Sequence, residues 1–396
     1  MHVLIVGAGL GGLCLSQCLR KQGISFEVFE RDENEDSRPQ GWAIAIHTIL
    51  DDLAASFPSD MPDLKSSTNH LAPLNLPVQL SLYYPGREGR LGMQDSPEMP
   101  IIRAERRRLR NWLATNIPVQ WGKHVTSIQY DEEGASVFFK DGTSAKGDIL
   151  VGADGINSVV REQLLKRPGS ELLKLVPLAN IVGELDLSGE AFKRQLELGH
   201  SAYIFLGPDM SFWNFGGVHH VYPDGVSGHH YWMFMQPDPN VEHDSHWLHK
   251  ATQQEKLDYV LQHVAQVPPK FQEIFKLTPV DRIKKDLHIW RDLELSELPA
   301  GRIVLMGDAA HAMTPFRGEG GFHTFIDAMK LSKILGELDI RNSVAVEAAM
   351  SQYNAEMLAR GSEAVRNSRN VHSANQTGNY IAKPLPPAEI KLESIY

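Results

Sequence analysis

The opening segment, "HVLIVGAGLGGLCLSQCLRKQGISFEVFE" (residues 2–30), constrains this chain more than any other. "HVLIV" is a short apolar run without polar alternation, as expected of a strand buried on both faces of a parallel sheet. Gly7, Gly9 and Gly12 then space out as G-x-G-x-x-G. Gly7 permits a tight turn, Gly9 lets backbone approach a pyrophosphate, and Gly12 lets the following helix pack closely on the sheet. The helix N-terminus offers N–H groups to the anion. Leu13, Leu15 and Leu19, with Cys14 and Cys18, form its packing face. "SFEVFE" is a second strand ending at Glu30, whose carboxylate is placed to accept hydrogen bonds from ribose hydroxyls. That acid disfavours the 2′-phosphate of NADP and leaves FAD or NAD. Glycine-rich turns are common, so the specificity lies in the order: strand, turn, helix, strand, acid.

Two later segments repeat the theme of a buried strand ending in glycine and an acid. Residues 125–155 predict a meander of short strands, with turns at Glu133-Gly134 and Asp141-Gly142. A buried strand follows and ends at Gly152-Ala153-Asp154-Gly155, with Asn157 or Ser158 as cap of the next helix. Residues 301–323, "GRIVLMGDAAHAMTPFRGEGGFH", give another buried strand ending in Gly307-Asp308. An acid at the carboxyl end of a strand is where open α/β sheets place ligand contacts. The glycines from Gly318 to Gly321 bare the backbone, so that amides can face an electron-rich ligand edge. From Phe322 onward the apolar spacing is helical.

These three segments, in this order, resemble the FAD-dependent, aromatic-hydroxylase-like (group A) flavoprotein monooxygenases, most closely their secondary-metabolite members. The resemblance covers roughly residues 1–360. It implies that Asp308 binds the ribityl hydroxyls of FAD. Pro315 and the loop through Gly321 would wall the flavin ring and aim N–H groups at its N1/O2 edge, where negative charge collects on reduction. "RPQGWAIAIH" places Ala43 where a backbone group meets the cofactor. "IIRAERRRLRNWL" offers Arg103 and Arg106 as candidates for the flavin or its phosphates. Family members usually carry Asn at the position held here by Phe322. That ring either presses on flavin or substrate or packs in the first turn of the helix. Pro315 and Phe322 are thus the candidates for lining the reaction centre, and no catalytic acid or base is assigned.

The implied fold is α/β: a Rossmann-type FAD-binding domain interleaved with an antiparallel β-sheet substrate domain, plus C-terminal helices. The expected boundaries are 1–75, 101–165 and 286–350 for the first, 76–100 and 166–285 for the second, and 351–396 for a C-terminal helical segment and tail. Residues 201–238 are rich in aromatic and β-branched residues with Gly, Pro and Asp turns, and read as antiparallel strands. Tyr203, Phe205, Trp213, Phe215, Tyr231, Trp232 and Phe234 alternate, so one set must form core and the other can line an apolar pocket. The histidines at 219–220, 229–230, 243, 246 and 249 raise the question of a metal. No H-E-x-x-H or matching carboxylate spacing accompanies them, and neighbours on a strand point to opposite faces, so no metal site is expected. His311 reads as a structural loop residue. The helical pattern continues to about Thr377, and the proline-bearing tail reads as irregular.

The expected activity is oxygenation of a bulky hydrophobic small molecule, using O2 and NADPH or NADH. In the family this passes through a flavin C4a-hydroperoxide, giving hydroxylation, epoxidation or Baeyer–Villiger insertion. No second G-x-G-x-x-G follows the first, so the nicotinamide is expected to visit a shared cleft. A flavin oxidase or dehydrogenase, or an FAD-binding protein without net oxygenation, are the alternatives. A net charge of −10 argues against nucleic acid or anionic membrane as a partner. Two cysteines allow no disulfide framework, no apolar run approaches the roughly 20 residues of a membrane span, and no secretory signal is visible, so a cytoplasmic protein is expected.

Overall fold

The apolar segment His2–Val6 (β1) lies between two parallel neighbours, Ser25–Phe29 (β2) and Ile149–Gly152 (β4). Val119–Gln120 (β3) extends the sheet beyond β2, and Ile303–Leu305 (β5) extends it beyond β4, both also parallel. The order is therefore β5-β4-β1-β2-β3. Chain direction across the sheet reverses between β1 and β4, and such a switch point leaves a crevice outside the carboxyl ends of the strands. The glycine turn, Gly152-Ala153-Asp154-Gly155 and Gly307-Asp308 all follow strands at that end. In this computed structural model, residues 1–370, 383–386 and 390–392 are described.

Contacts divide the mixed α/β chain into two units. The first comprises Met1–Ser67, Arg106–Lys174 and Arg291–Gly378. It holds the parallel sheet and helices Leu10–Gln22 (α1), Arg106–Leu113 (α2), Val159–Leu165 (α3), Gly320–Glu337 (α4) and Ser343–Arg369 (α5). It also holds the meander Val125–Tyr130, Ala135–Phe139 and Ser144–Gly147, paired antiparallel. Ser158, rather than Asn157, caps α3 by accepting the Arg161 N–H at 2.9 Å. Helix α4 starts at Gly320, ahead of the expected Phe322. The expected extension of the last helix to Thr377 lies outside the described residues.

The second unit comprises Thr68–Glu105, Leu175–Trp290 and Asn379–Tyr396, so residues 68–75 and 101–105 group here. Its centre is a seven-stranded sheet ordered Leu178–Ser188, Ser227–Pro237, Trp213–Val221, Ala202–Leu206, Gln79–Tyr83, Leu91–Gln94, Lys383–Pro384. The expected antiparallel sheet is corrected at one place: Ala202–Leu206 pairs parallel with Gln79–Tyr83. Those two strands come from distant segments, so no hairpin turn sets their direction. Lys383–Pro384, expected to be irregular, pairs with Leu91 and Gly92.

Register separates the aromatic side chains. Tyr203 lies across from Gly216 and Trp232, and Phe205 across from Asn214 and Phe234. These four rings share one face and enter the core with Phe192, Val260, Phe271 and Phe275 from the covering helices. Trp213, Phe215 and Tyr231 occupy the opposite face with Met233 and Met235, by the same alternation. Between Val218 and His220 the register slips. This bulge overrides the expected opposition of neighbouring histidines: the rings of His219 and His220 lie 4.8 Å apart, beside His229. Carboxylates engage two of them, Glu105 with His219 Nε2 at 3.2 Å and Asp186 with His229 Nδ1 at 2.7 Å. No group of His, Cys, Asp or Glu is arranged to hold a metal ion among the described residues. No helix among them is long and apolar enough to cross a membrane.

His230 points into the core of this sheet, edge-on to Phe192, with Nε2 lacking a partner among the described residues. Burial pushes its pKa down to about 4, against a hydrogen bond that Nδ1 donates to the Gly228 carbonyl, which raises it. Between the ordinary value of 6.5 and about 4, the unfolded chain takes a proton there that the folded chain refuses. Stability therefore falls as pH drops through that window, by about 2 kcal/mol at pH 5 from this residue. His230→Phe should remove the loss, shrinking the difference in thermal midpoint between pH 7.5 and pH 5 relative to the parent. An unchanged difference would show that the ring is not a buried neutral base.

Candidate functional site

The three glycine-and-acid segments pack on one another in the first unit, and the glycines explain how. Gly7 has φ +108°, and a Cβ there would sit 2.4 Å from the Ala153 carbonyl oxygen. A Cβ on Gly12 would meet the Gly7 carbonyl oxygen at 2.0 Å. Gly11 and Gly307 both face Thr324 of α4, with Cβ approaches of 2.7 and 2.9 Å. Segment one thus lies against segment two through Gly7, and Thr324 wedges between segment one and segment three. Arg161, buried in α3, ties segments two and three by donating to the carbonyls of Ile156 at 2.6 Å and Ala309 at 3.2 Å.

Gly9 is different. Its φ of −78° is open to any residue, and nothing lies within 4 Å of a Cβ built on it. It caps α1 with no side-chain hydrogen bond, leaving the first amides of the helix uncapped by any side chain. No internal contact requires glycine here, and an empty cradle before a helix N-terminus fits a pyrophosphate.

The acids divide by what already engages them. Glu30, buried, accepts the Ala8 N–H at 2.7 Å and the Asp32 N–H at 3.1 Å. It first holds the glycine loop, with the remaining lone pairs of its two oxygens left for a ribose. Asp154 accepts from the Ser158 hydroxyl at 2.5 Å and the Val160 N–H at 3.2 Å, which makes it a brace for α3. Asp308 makes no hydrogen bond or ion pair through its carboxylate among the described residues, and that side chain reaches solvent. Protein nevertheless surrounds it densely enough that burial raises its pKa, opposed by the charges of His311 and Arg106 and assisted by Asp327. Asp308 thus reaches solvent while protein crowds around it, and its acceptors are uncommitted among the described residues.

The loop after Asp308 ends in α4, whose N-cap, Glu319, makes no capping side-chain bond. Its carboxylate is held instead by Arg317 through two 2.9 Å bonds. The amides of the first turn are therefore uncapped by side chains at Gly320 and Gly321. Gly321 has a neighbour that sequence did not reveal: a Cβ there would strike Ile44 Cδ1 at 2.1 Å. Ile44 follows Ala43 in the strand Ala43–His47, so the bare backbone admits that strand as well as any ring. Pro315 is exposed at the start of a short 3-10 turn. Phe322 stacks on His47 at 5.8 Å and 17° rather than in the helix core.

The arginines sort clearly. Arg103, one of the two sequence candidates, is buried in the second unit, donating to the Ser201 and Val218 carbonyls and to the Tyr231 hydroxyl. Arg106 lies in the first unit, exposed, beside Gly41 and close enough to Asp308 to lower its pKa. A third arginine, Arg110, follows Arg106, Arg107 and Arg108 after Leu109. Arg110 is buried under the glycine loop, its Nε donating to the Ala8 carbonyl at 2.9 Å, with Nη2 lacking a partner among the described residues. An arginine flanked by Leu109 and Leu113 on a packing face was the available signal.

Known proteins resemble this chain along most of its length. A model of the FAD binding domain family matches residues 1–53 and 100–368. The chain is 57% identical to the FAD-dependent monooxygenase thnD of Trichoderma harzianum, over 99% of both chains. It is 30% identical to the FAD-dependent monooxygenase phnB of Penicillium herquei, covering 95% of this chain and 92% of that one. Among solved structures, Klebsiella pneumoniae HpxO complexed with FAD and uric acid superposes with a TM-score of 0.71 at 21% identity, over 95% of this chain and 90% of HpxO.

Proposed function

This chain belongs to the FAD binding domain family as an FAD-dependent monooxygenase, and from that premise we propose that it uses O2 and NADPH or NADH to oxygenate a bulky, mainly hydrophobic aromatic or polycyclic molecule in secondary metabolism. When bound, FAD supplies the electron transfer and the activation of oxygen. The uncapped amides before α1 and the open cradle at Gly9 receive the pyrophosphate, Glu30 accepts from the adenosine ribose, and Arg110 supports the loop from below. Asp308 takes the ribityl hydroxyls, and Arg106 supplies positive charge near it. Ala43, Pro315 and Gly321 border the ring, with the first amides of α4 facing its electron-rich edge. Phe322, stacked on His47, adds a flat apolar wall.

The observation that carries this reading is the contrast at the strand ends, where no contact among the described residues explains the form of Gly9 or of Asp308. In the second unit, the sheet face bearing Trp213, Phe215, Tyr231, Met233 and Met235 supports a substrate of apolar, aromatic character. We further read the first unit as a Rossmann-type cofactor domain and the second as the substrate domain. Purified protein should be yellow, and aromatic or polycyclic hydroxylated compounds should stimulate NADPH or NADH oxidation. Under 18O2 the product should gain one labelled oxygen. Hydrogen peroxide formed from substrate without reduced nicotinamide would instead make the protein an oxidase.

A further inference from the structure

Behind Asp308 lies a set of charged side chains that no step of the proposed reaction uses. Asp327, on α4, is completely buried. Its Oδ2 accepts two hydrogen bonds, from the Gly307 N–H at 2.8 Å and from His311 Nε2 at 2.6 Å. Its Oδ1 accepts from Arg360 Nη2 of α5 at 2.7 Å. The Gly307 carbonyl in turn accepts the N–H groups of Ala310 and His311, at 2.8 and 2.9 Å. Gly307 is therefore held at both its N–H and its C=O, and His311 closes the ring by returning to the same carboxylate. Asp308 lies between them, directly after Gly307.

The chemistry of the ring suits a clamp. Gly307 adopts φ +58°, a conformation L side chains rarely take, and its N–H would be a buried orphan without Asp327. Burial opposes charge on Asp327, but His311 and Arg360 together hold its pKa below the ordinary range. Burial likewise opposes charge on His311, yet Asp327 and Asp308 lift its pKa above the usual value. Arg360 is fixed from the far side by Glu356, through bonds of 2.9 and 3.2 Å. The backbone of α5 comes close enough at Gly361 that a Cβ would strike the His311 ring at 2.7 Å.

We propose that Asp327 is a positioning residue for cofactor binding: with His311 and Arg360 it clamps the Gly307–His311 turn so that Asp308 is presented, immobile, to the ribityl part of FAD. The proposal rests on the reading of FAD as resident cofactor. Asp327 is completely buried, so it acts only through the turn it holds. Asp327→Asn keeps the size but offers an N–H₂ or a weaker acceptor to the Gly307 amide and the imidazole.

The test separates the two halves of the cofactor. Apoprotein is titrated calorimetrically with FAD and, separately, with ADP, which lacks ribityl and ring. Asp327→Asn should weaken FAD binding by about tenfold or more and leave ADP within about twofold. Equal weakening of both ligands, or of neither, overturns the proposal. His311→Gln, whose amide can still donate to Asp327, should stay within about threefold of the parent for FAD, whereas His311→Leu should fall with Asp327→Asn. Equal behaviour of Gln and Leu also overturns it, and this pair decides alone if Asp327→Asn does not fold. Parent protein that binds no FAD would remove the cofactor reading itself, a separate result.

Discussion

Gly9→Val should yield a folded protein that has lost its cofactor. FAD affinity should fall by roughly a hundredfold or more, because a branched side chain would fill the space where backbone and pyrophosphate must meet. Apoprotein stability should stay within about 1 kcal/mol, since the φ of −78° suits valine and nothing lies within 4 Å of its Cβ. The neighbouring glycines give the opposite result. Gly12→Ala would push a methyl group to 2.0 Å from the Gly7 carbonyl oxygen, and Gly7→Ala would add a strained φ to a 2.4 Å clash with Ala153. Both should lower the thermal midpoint of the apoprotein before any ligand is added. Circular dichroism melts alongside FAD fluorescence titrations separate the cases. A Gly9→Val protein that binds FAD normally would show that the pyrophosphate lies elsewhere.

This division within one motif shows what the sequence could and could not disclose. The spacing of Gly7, Gly9 and Gly12 announced the turn, but which glycine serves the fold and which the ligand depends on Ala153 and the Gly7 carbonyl, brought close only by folding. Strand ends at Glu30, Asp154 and Asp308 were legible because an apolar run that closes on an acid, after glycine in the last two, is a local pattern. Their different employment was not, since it turns on partners such as Ala8 and Ser158. The Asp327–Arg360 pair joins separate helices, and no local periodicity marks it. Arg110 was hidden among three neighbouring arginines, because helix phase alone decides which points inward. The parallel pairing of Ala202–Leu206 with Gln79–Tyr83 and the bulge at Val218–His220 are likewise tertiary outcomes, invisible to a reading built on hairpin turns.

Asp308 offers the second large effect, and its sign differs between fold and function. Removing the carboxylate with Asp308→Ala should weaken FAD binding by about a hundredfold, because charge-assisted acceptance from hydroxyls is lost inside a walled site. Asp308→Asn, which keeps an acceptor oxygen but no charge, should cost less, about tenfold. Stability should move the other way. Burial raises the Asp308 pKa despite the opposing charges of His311 and Arg106, so the folded state holds its proton more tightly than the unfolded chain does. As pH rises through the ordinary carboxylate range and past that raised value, the folded state is progressively penalised for the charge. At pH 7.5 the apoprotein of Asp308→Asn should therefore melt higher than the parent, with the gain fading toward pH 4. The same carboxylate that costs the empty fold is the one whose acceptors await a ligand, the pattern expected where a binding group is held against the stability of its surroundings. Loss of FAD affinity together with a lower apoprotein midpoint would assign Asp308 to the framework instead.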